Sequence, residues 1–322
     1  MAELLVDQLR TMARLYGDEV AFHDLDGGRT LTFAEWNARS NQLARGLIAD
    51  GIAKGDRVAI DLPSSEILWW IVAYAAIHKA GGVAVPVNTR LTSRELVTIL
   101  GHAEVAAVIT CHALLTGQSL HEVWPQVPSI RWIASVDQAA FDMRPIEMEM
   151  ADDAEDVQVA LDEGDLADIM YTSGTTGLPK GVAVRHRNVA LLPNGEVPWS
   201  GTYWLQGSPP FTFAGISFIY NPMKLGMGCR FQSTFNATTW IDYVEQHRPT
   251  ATFVVPAMAQ LLINEPRWPT ADLSSLTLVS CGSAPLPPET LVHLCERFPT
   301  AVVTNGYGMT EAGPAYLSLI HI

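Results

Sequence analysis

Apolar residues recur along this chain in two alternating patterns. Short β-branched runs predict strands at Arg57–Asp61 (RVAID), Gly82–Val87 (GVAVPV), Val105–Thr110 (VAAVIT), Arg131–Ser135 (RWIAS) and Asp168–Thr172 (DIMYT). Three more follow at Thr252–Val255 (TFVV), Leu276–Ser280 (LTLVS) and Ala301–Thr304 (AVVT). Helix-length segments lie between them. In Thr32–Asp50, Phe33, Trp36, Leu43 and Leu47 fall on one face; the others are Ser64–Ala80, Ser93–His102, Trp240–His247 and Pro288–Phe298. Such alternation predicts an α/β architecture with mostly parallel sheets.

The longest apolar run, Ile67–Ile77, is followed by His78 and Lys79. It is too short to cross a bilayer and predicts a buried helix instead. The first twenty residues carry Glu3, Asp7 and Arg10 in an amphipathic pattern, not a basic stretch followed by an apolar one, so no secretory signal is read there. The acidic stretch ADDAEDVQVALDEGD, residues 151–165, reads as a surface linker where two subdomains of the 1–322 region would meet.

Composition narrows the classes of function. With 322 residues, 48% of them hydrophobic, the chain can bury one large core or two of moderate size. A net charge of −14 argues against nucleic acid or an anionic membrane as a partner, while leaving room for a local anion site. Cys111, Cys229, Cys281 and Cys295 form neither a CxxC pair nor a metal spacing. They read as reduced thiols of a cytoplasmic protein.

Three predicted strands run straight into glycine-rich stretches: IMYTSGTTG, LTLVSCGSAP and AVVTNGYGMTE. Ligands of open α/β sheets bind beyond the carboxyl ends of strands, so these stretches are expected to converge on one crevice. In YTSGTTGLPKG (171–181), Gly174, Gly177 and Gly181 let the main chain approach a ligand closely. Successive N–H groups there can form an anion nest, and Thr172, Ser173, Thr175, Thr176 and Lys180 add hydroxyl donors and a positive charge. The set suits a polyphosphate; without the lysine and the preceding strand it would read as a surface loop. It is not a P-loop, because Gly181 follows Lys180 where Ser or Thr would be required.

YTSGTTGLPKGV closely resembles the signature of the adenylate-forming superfamily: acyl-CoA synthetases, luciferases and peptide-synthetase adenylation domains. NGYGMTEAG (305–313) is similar to that superfamily's Tyr-Gly-x-Thr-Glu block, and SCGSAPLPPE (280–289) to the Gly-Gly-Ala-Pro-Leu stretch before it. Weaker likenesses are KGDRVAI (54–60), VPVNTRLT (85–92) and VRHRNV (184–189), all in the superfamily's order. The resemblance implies a large N-terminal domain of two stacked, mostly parallel sheets flanked by helices. It implies ATP-dependent activation of a fatty or other organic acid as an acyl-adenylate, followed by thioester formation with coenzyme A. Charge on the transferring phosphorus would be met by positioning, Mg²⁺ and hydrogen-bond donors.

The resemblance also assigns roles. Residues 172–177 and Lys180 would hold the β- and γ-phosphates, and Tyr307 would stack on adenine, although a Tyr packed under a turn fits the same spacing. Gly282, Ser283 and Ala284 would form the opposite wall, beside Asn305, Gly306 and Gly308. Thr310 would bond the α-phosphate; Glu311, with Thr176, would hold Mg²⁺, the alternative for Glu311 being a helix-start carboxylate. The acid pocket falls on SPPFTFAGIS (208–217), with Phe211, Thr212, Phe213 and Gly215 as candidates and Phe218 as an apolar wall or core residue. Thr212 stands where His is common, which puts any His-based contact in doubt. No Asp lies between Ser208 and Gly228, which argues against an amino acid substrate. Arg185, His186 and Arg187 read as a solvated helix start.

The superfamily's downstream ribose-binding Asp and catalytic Lys have no counterpart, and Tyr316–Ile322 (YLSLIHI) matches nothing expected there. The chain therefore reads as a truncated N-terminal portion with weak nucleotide binding and little adenylation. The alternatives are an adenylation module that loads a carrier protein and a non-catalytic nucleotide-binding remnant.

Overall fold

The computed structural model describes residues 4–117, 120–138, 143–172, 179–189, 192–310 and 313–317, the stretches 115–117 and 313–317 by backbone alone. The chain opens with an antiparallel pair, β1 (Val20–Asp24) and β2 (Arg29–Thr32). It then builds a separate sheet from β3 (Arg57–Ile60), β4 (Val83–Pro86), β5 (Val105–Thr110), β6 (Trp132–Ser135), β7 (Arg144–Pro145), β8 (Leu166–Thr172) and β9 (Lys180–Arg185). Afterwards it returns to the first sheet with β10 (Tyr203–Gln206), β11 (Gly228–Phe231), β12 (Ala251–Val254), β13 (Leu278–Gly282), β14 (Val302–Met309) and β15 (Gly313–Leu317).

The first sheet has the order β15-β14-β13-β12-β10-β11-β1-β2 and the second the order β7-β6-β5-β3-β4-β8-β9. Both are parallel inside and carry antiparallel strands at their margins: β15 and β2 in one, β9 in the other. The two-sheet α/β architecture read from the sequence is therefore present. Residues 151–165 contain neither helix nor strand and run along the Phe33–Ala49 helix. There Asn41 donates to the Ala154 carbonyl (2.9 Å) and Arg45 to the Glu155 carbonyl (3.1 Å). The second sheet continues beyond this stretch, because β4 pairs with β8.

Local chemistry explains the helix boundaries. Thr32 accepts a bond from the Glu35 N–H (3.1 Å) while Glu35 accepts one from the Thr32 N–H (2.9 Å). This capping box starts the Phe33–Ala49 helix, and Thr92 with Glu95 does the same for Ser93–His102. The Ala237–His247 helix begins three residues before its apolar stripe because Asn236 caps it through the Thr239 N–H (3.1 Å). The segment 64–80 divides into a 3₁₀ turn, Ser64–Glu66, and the α-helix Ile67–Lys79.

The Ile67–Lys79 helix is buried along its length and belongs to one core cluster with Phe22 and Phe231 of the first sheet and Val58, Ile60 and Ala107 of the second. Its polar groups need partners in that dry setting. Lys79 donates to Asn37 Oδ1 (2.7 Å) and Asn41 Oδ1 (2.6 Å); burial pushes its ammonium down to about 7. Tyr74 donates to Asp168 Oδ2 (3.0 Å), and His78 Nε2 lies 3.2 Å from Asp168 Oδ1.

Three readings need correction. His186 is buried rather than part of a solvated helix start: its ring faces His78 at 5.3 Å, and burial, then His78, push it down to about 3. β14 does not end at Thr304 but continues to Met309, so NGYGM is strand, not loop. Likewise β13 extends to Gly282. In both cases the neighbouring strand supplies ladder hydrogen bonds that override weak local propensity, with Cys281 paired to Asn305 and Gly282 to Gly306.

Candidate active site

Strand β8 delivers Tyr171 and Thr172 to the base of the glycine-rich loop, and β9 carries the chain back from Pro179 and Lys180. Thr172 and Lys180 are register partners, so the loop closes a β-hairpin. Residues 173–178, which include Ser173, Gly174, Thr175, Thr176 and Gly177, lie outside the described residues, as does Glu311. Lys180 is exposed. Tyr171 is half-buried, its hydroxyl 2.7 Å from His102 Nδ1, and burial pushes that phenol up to about 12. At neutral pH the phenol therefore keeps its proton, and the hydroxyl and the ring nitrogen share one hydrogen bond.

Two cavities meet at this point. The larger, about 1020 Å³, is lined by Tyr171, Thr172 and Pro179 at the hairpin, by Ser283 and Thr310, and by Phe211, Thr212 and Phe213. Its opposite wall comes from the segment after β4 and the Ser93–His102 helix, with Asn88, Arg94, Glu95 and Thr98 as polar groups. The smaller, about 330 Å³, is walled by Phe213, Ala214, Phe218, Phe253, Val255 and Met309 and carries hydroxyls from Ser208, Ser217 and Ser280. Gly306, Tyr307 and Gly308 complete it. Thr212, Phe213, Ser283 and Thr310 line both, so an apolar chamber opens directly onto a polar cleft. This is the crevice expected beyond the strand ends, assembled from both sheets.

Each junction residue is held by its own local structure. Thr212 caps the Phe213–Lys224 helix: its hydroxyl accepts from the Gly215 N–H (3.0 Å) and donates to the Pro209 carbonyl (2.8 Å). Gly215 lines neither cavity. It permits that turn, since an added Cβ would overlap the Pro209 carbonyl oxygen. Ser283 has a left-handed backbone, φ 66°, a conformation uncommon for a residue with a side chain and a mark of local strain. Gly282 lies so close to β14 that a Cβ would sit 2.7 Å from the Gly306 carbonyl oxygen.

Among the predicted site residues, the structure gathers Thr172, Phe211, Thr212, Phe213, Ser283, Gly306, Tyr307, Gly308 and Thr310 around the paired cavities. Lys180, Gly282, Ala284 and Asn305 stand next to lining residues without lining either space themselves. Tyr307 is 63% exposed, an aromatic face available for stacking rather than a residue packed under a turn. The sequence reading missed Ser208, Ser217, Phe253, Ser280 and Arg94. Serines and a phenylalanine at strand ends and helix starts carry no local signal of a pocket.

An adenine ring could rest against Tyr307 where Gly306 and Gly308 leave the backbone uncovered. Phosphates could reach the hydroxyls of Thr172 and Thr310. The donor set fits a nucleotide. The two residues assigned to Mg²⁺, Thr176 and Glu311, are oxygen donors of the right kind and flank these hydroxyls in sequence.

Comparison with known proteins points the same way. A feruloyl-CoA synthase of Amycolatopsis sp is 35% identical over 307 residues, 91% of this chain and 57% of that protein. The 4-coumarate–CoA ligase 3 of Arabidopsis thaliana is 30% identical over 299 residues, 89% of this chain and 52% of its own length. The chain thus spans little more than half the length of these curated relatives. The N-terminal domain of FACL13 from Mycobacterium tuberculosis matches with a TM-score of 0.82 and 25% identity, covering 97% of this chain and 77% of that one. A luciferase-like enzyme from the nonluminescent Zophobas morio mealworm shares the fold at a TM-score of 0.85 and 20% identity, covering 98% and 74%. The family model described as AMP-binding enzyme matches residues 9–321, which takes in both sheets and every motif above, and the chain belongs to that family.

Proposed function

We propose that the protein activates a compact aromatic carboxylic acid with ATP, forming an acyl-adenylate, and passes the acyl group to the thiol of coenzyme A. The observation that carries this reading is the junction of the two cavities at Thr212, Phe213, Ser283 and Thr310. An acid whose ring occupies the apolar chamber would present its carboxylate there, next to phosphates held along Thr172 and Thr310. Proximity of this kind converts an encounter of two anions into a unimolecular step. The chamber, at about 330 Å³, is at the small end of ligand sites and has ring walls from Phe213, Phe218 and Phe253. That favours an aryl or arylpropenoic acid over a long alkyl chain, in keeping with the ferulate and coumarate named for the relatives.

In this reading the 172–177 loop and Lys180 hold the β- and γ-phosphates, Tyr307 stacks on adenine, and Thr310 donates to the α-phosphate. When bound through Glu311 and Thr176, Mg²⁺ would neutralise phosphate charge. The chain's remaining task is to orient the carboxylate and keep water away from it, which the apolar walls do. Transfer to a carrier-protein thiol in place of coenzyme A is the second reading. ATP–pyrophosphate exchange over a panel of benzoic, cinnamic, hexanoic and palmitic acids tests the adenylation step and the acid, and thioester formed on adding coenzyme A tests the acceptor. Cinnamic-type acids should give the fastest exchange; a preference for palmitic acid would overturn the aromatic reading.

A further inference from the structure

On the first sheet, the face opposite the apolar chamber carries a group of bases. Arg230 on β11 is 8% exposed, and its Nε and Nη1 are buried without a hydrogen-bond partner. No carboxylate pairs with it among the described residues. Its guanidinium lies 3.5 Å over the ring of Tyr203 on β10. His23 on β1 is its register partner, and the ring of His247, in the last turn of the Ala237–His247 helix, is 5.4 Å from that of His23. Alternation along the strands separates this face from the active site. Leu205 is also in register with Arg230 and packs under the helix, whereas its neighbour Trp204 packs on Phe218 of the chamber.

A buried guanidinium without an anion is costly, and here two imidazoles stand beside it. The nearby carboxylates are committed elsewhere. Asp24 pairs with Arg29 (3.1 Å), and Asp26 accepts from Tyr243 (2.8 Å), Ser233 and Thr234. Burial, then Arg230, hold both His23 and His247 below the usual imidazole range. Burial first, and the neighbouring guanidinium second, thus favour neutral imidazoles here, within a chain of net charge −14.

We propose that Arg230, His23 and His247 form a binding recess for a tetrahedral oxyanion, phosphate or a phosphate monoester, separate from the ATP cleft. The guanidinium holds its N–H donors in one plane, and Nε and Nη1, on different edges of that plane, are both free to meet the oxygens of such an anion. The imidazoles take up protons as it binds, and Tyr203 braces the guanidinium from the far side.

The test uses the purified chain carrying Lys180→Ala, which weakens phosphate capture at the glycine-rich loop. Inorganic phosphate and glycerol 3-phosphate are titrated at constant ionic strength against chloride. At about ten times Kd, the melting temperature should rise by about 2 °C. Histidine C2–H resonances should show His23 and His247 titrating at higher pH with phosphate present. Arg230→Met, which keeps the packing on Tyr203, should abolish both responses; if it does not fold, His247→Gln should weaken them. An effect of both compounds assigns a free-phosphate recess, and an effect of the ester alone assigns a monoester site. No shift beyond the chloride control, or an equal shift in Arg230→Met or His247→Gln, overturns the proposal.

Discussion

Thr172 and Lys180 face each other across the β8–β9 hairpin, at the two ends of the glycine-rich loop. The pair fixes where the loop begins and ends, and it places a hydroxyl and an ammonium on the same rung. Thr172 lines the large cavity while Lys180 stands exposed beside it. Lys180→Ala should therefore lower ATP–pyrophosphate exchange by about 10²-fold, the usual cost of losing one donor to a developing charge. Its melting temperature should stay within a degree or so of the parent, because the side chain is exposed. A large loss of stability would instead make Lys180 a structural residue.

Gly215 tests the frame of the acid chamber. A Cβ there collides with the Pro209 carbonyl that also accepts from Thr212. Gly215→Ala should destabilise the chain by about 1–3 kcal/mol in urea unfolding, the range for overpacking. It should also raise KM for the acid more than KM for ATP, since Ser208, Pro209 and Thr212 line the chamber. Equal changes in both would place the damage elsewhere.

Asp61 supplies a pH test of stability. It is fully buried, both carboxylate oxygens lack a partner, and burial raises it from 3.8 to about 7. Between those two values the folded chain binds more protons than the unfolded one, so this group's contribution falls as pH rises from about 4 to 7. Asp61→Asn removes the ionisation. It should flatten that part of the stability–pH curve and stabilise the chain at pH 8 by on the order of 2 kcal/mol, below the ceiling of about 1.4 kcal/mol per pKa unit. An unchanged curve from pH 4 to 8 would show that Asp61 does not titrate in this window.

Asp168 joins the sheets through the buried helix. Asp168→Ala would leave the Tyr74 hydroxyl without its acceptor and deprive His78 of one of its two, the other being the Ala167 carbonyl (3.1 Å). The expected cost is about 3–5 kcal/mol, that of breaking a buried polar pair from one side. Tyr74→Phe, which removes a single bond and leaves Asp168 Oδ2 without its donor, should cost less, about 1–3 kcal/mol. Comparable losses in denaturant unfolding for the two variants would contradict the shared role of this carboxylate.

Much of this protein can be read from its sequence alone. Runs such as VAAVIT and capping pairs such as Thr92 with Glu95 set strands and helices by local sterics and short-range hydrogen bonds, and these fall where the pattern puts them. The family resemblance carried by YTSGTTGLPKG and NGYGMTEAG is local too, because it depends on which residue types sit next to one another. Tertiary structure decided what depends on distant neighbours. Strand β14 runs through the glycines of NGYGM because β13 offers a ladder, and the fold buries His186 against His78 while Arg185 and Arg187 stay exposed. The chamber draws Phe218, Phe253 and Ser280 from three separate stretches, and Arg230 meets His23 only because β1 pairs with a strand some 200 residues later. Burial, and the pKa shifts and ligand sites it creates, is a sum over contacts that no short stretch of sequence contains.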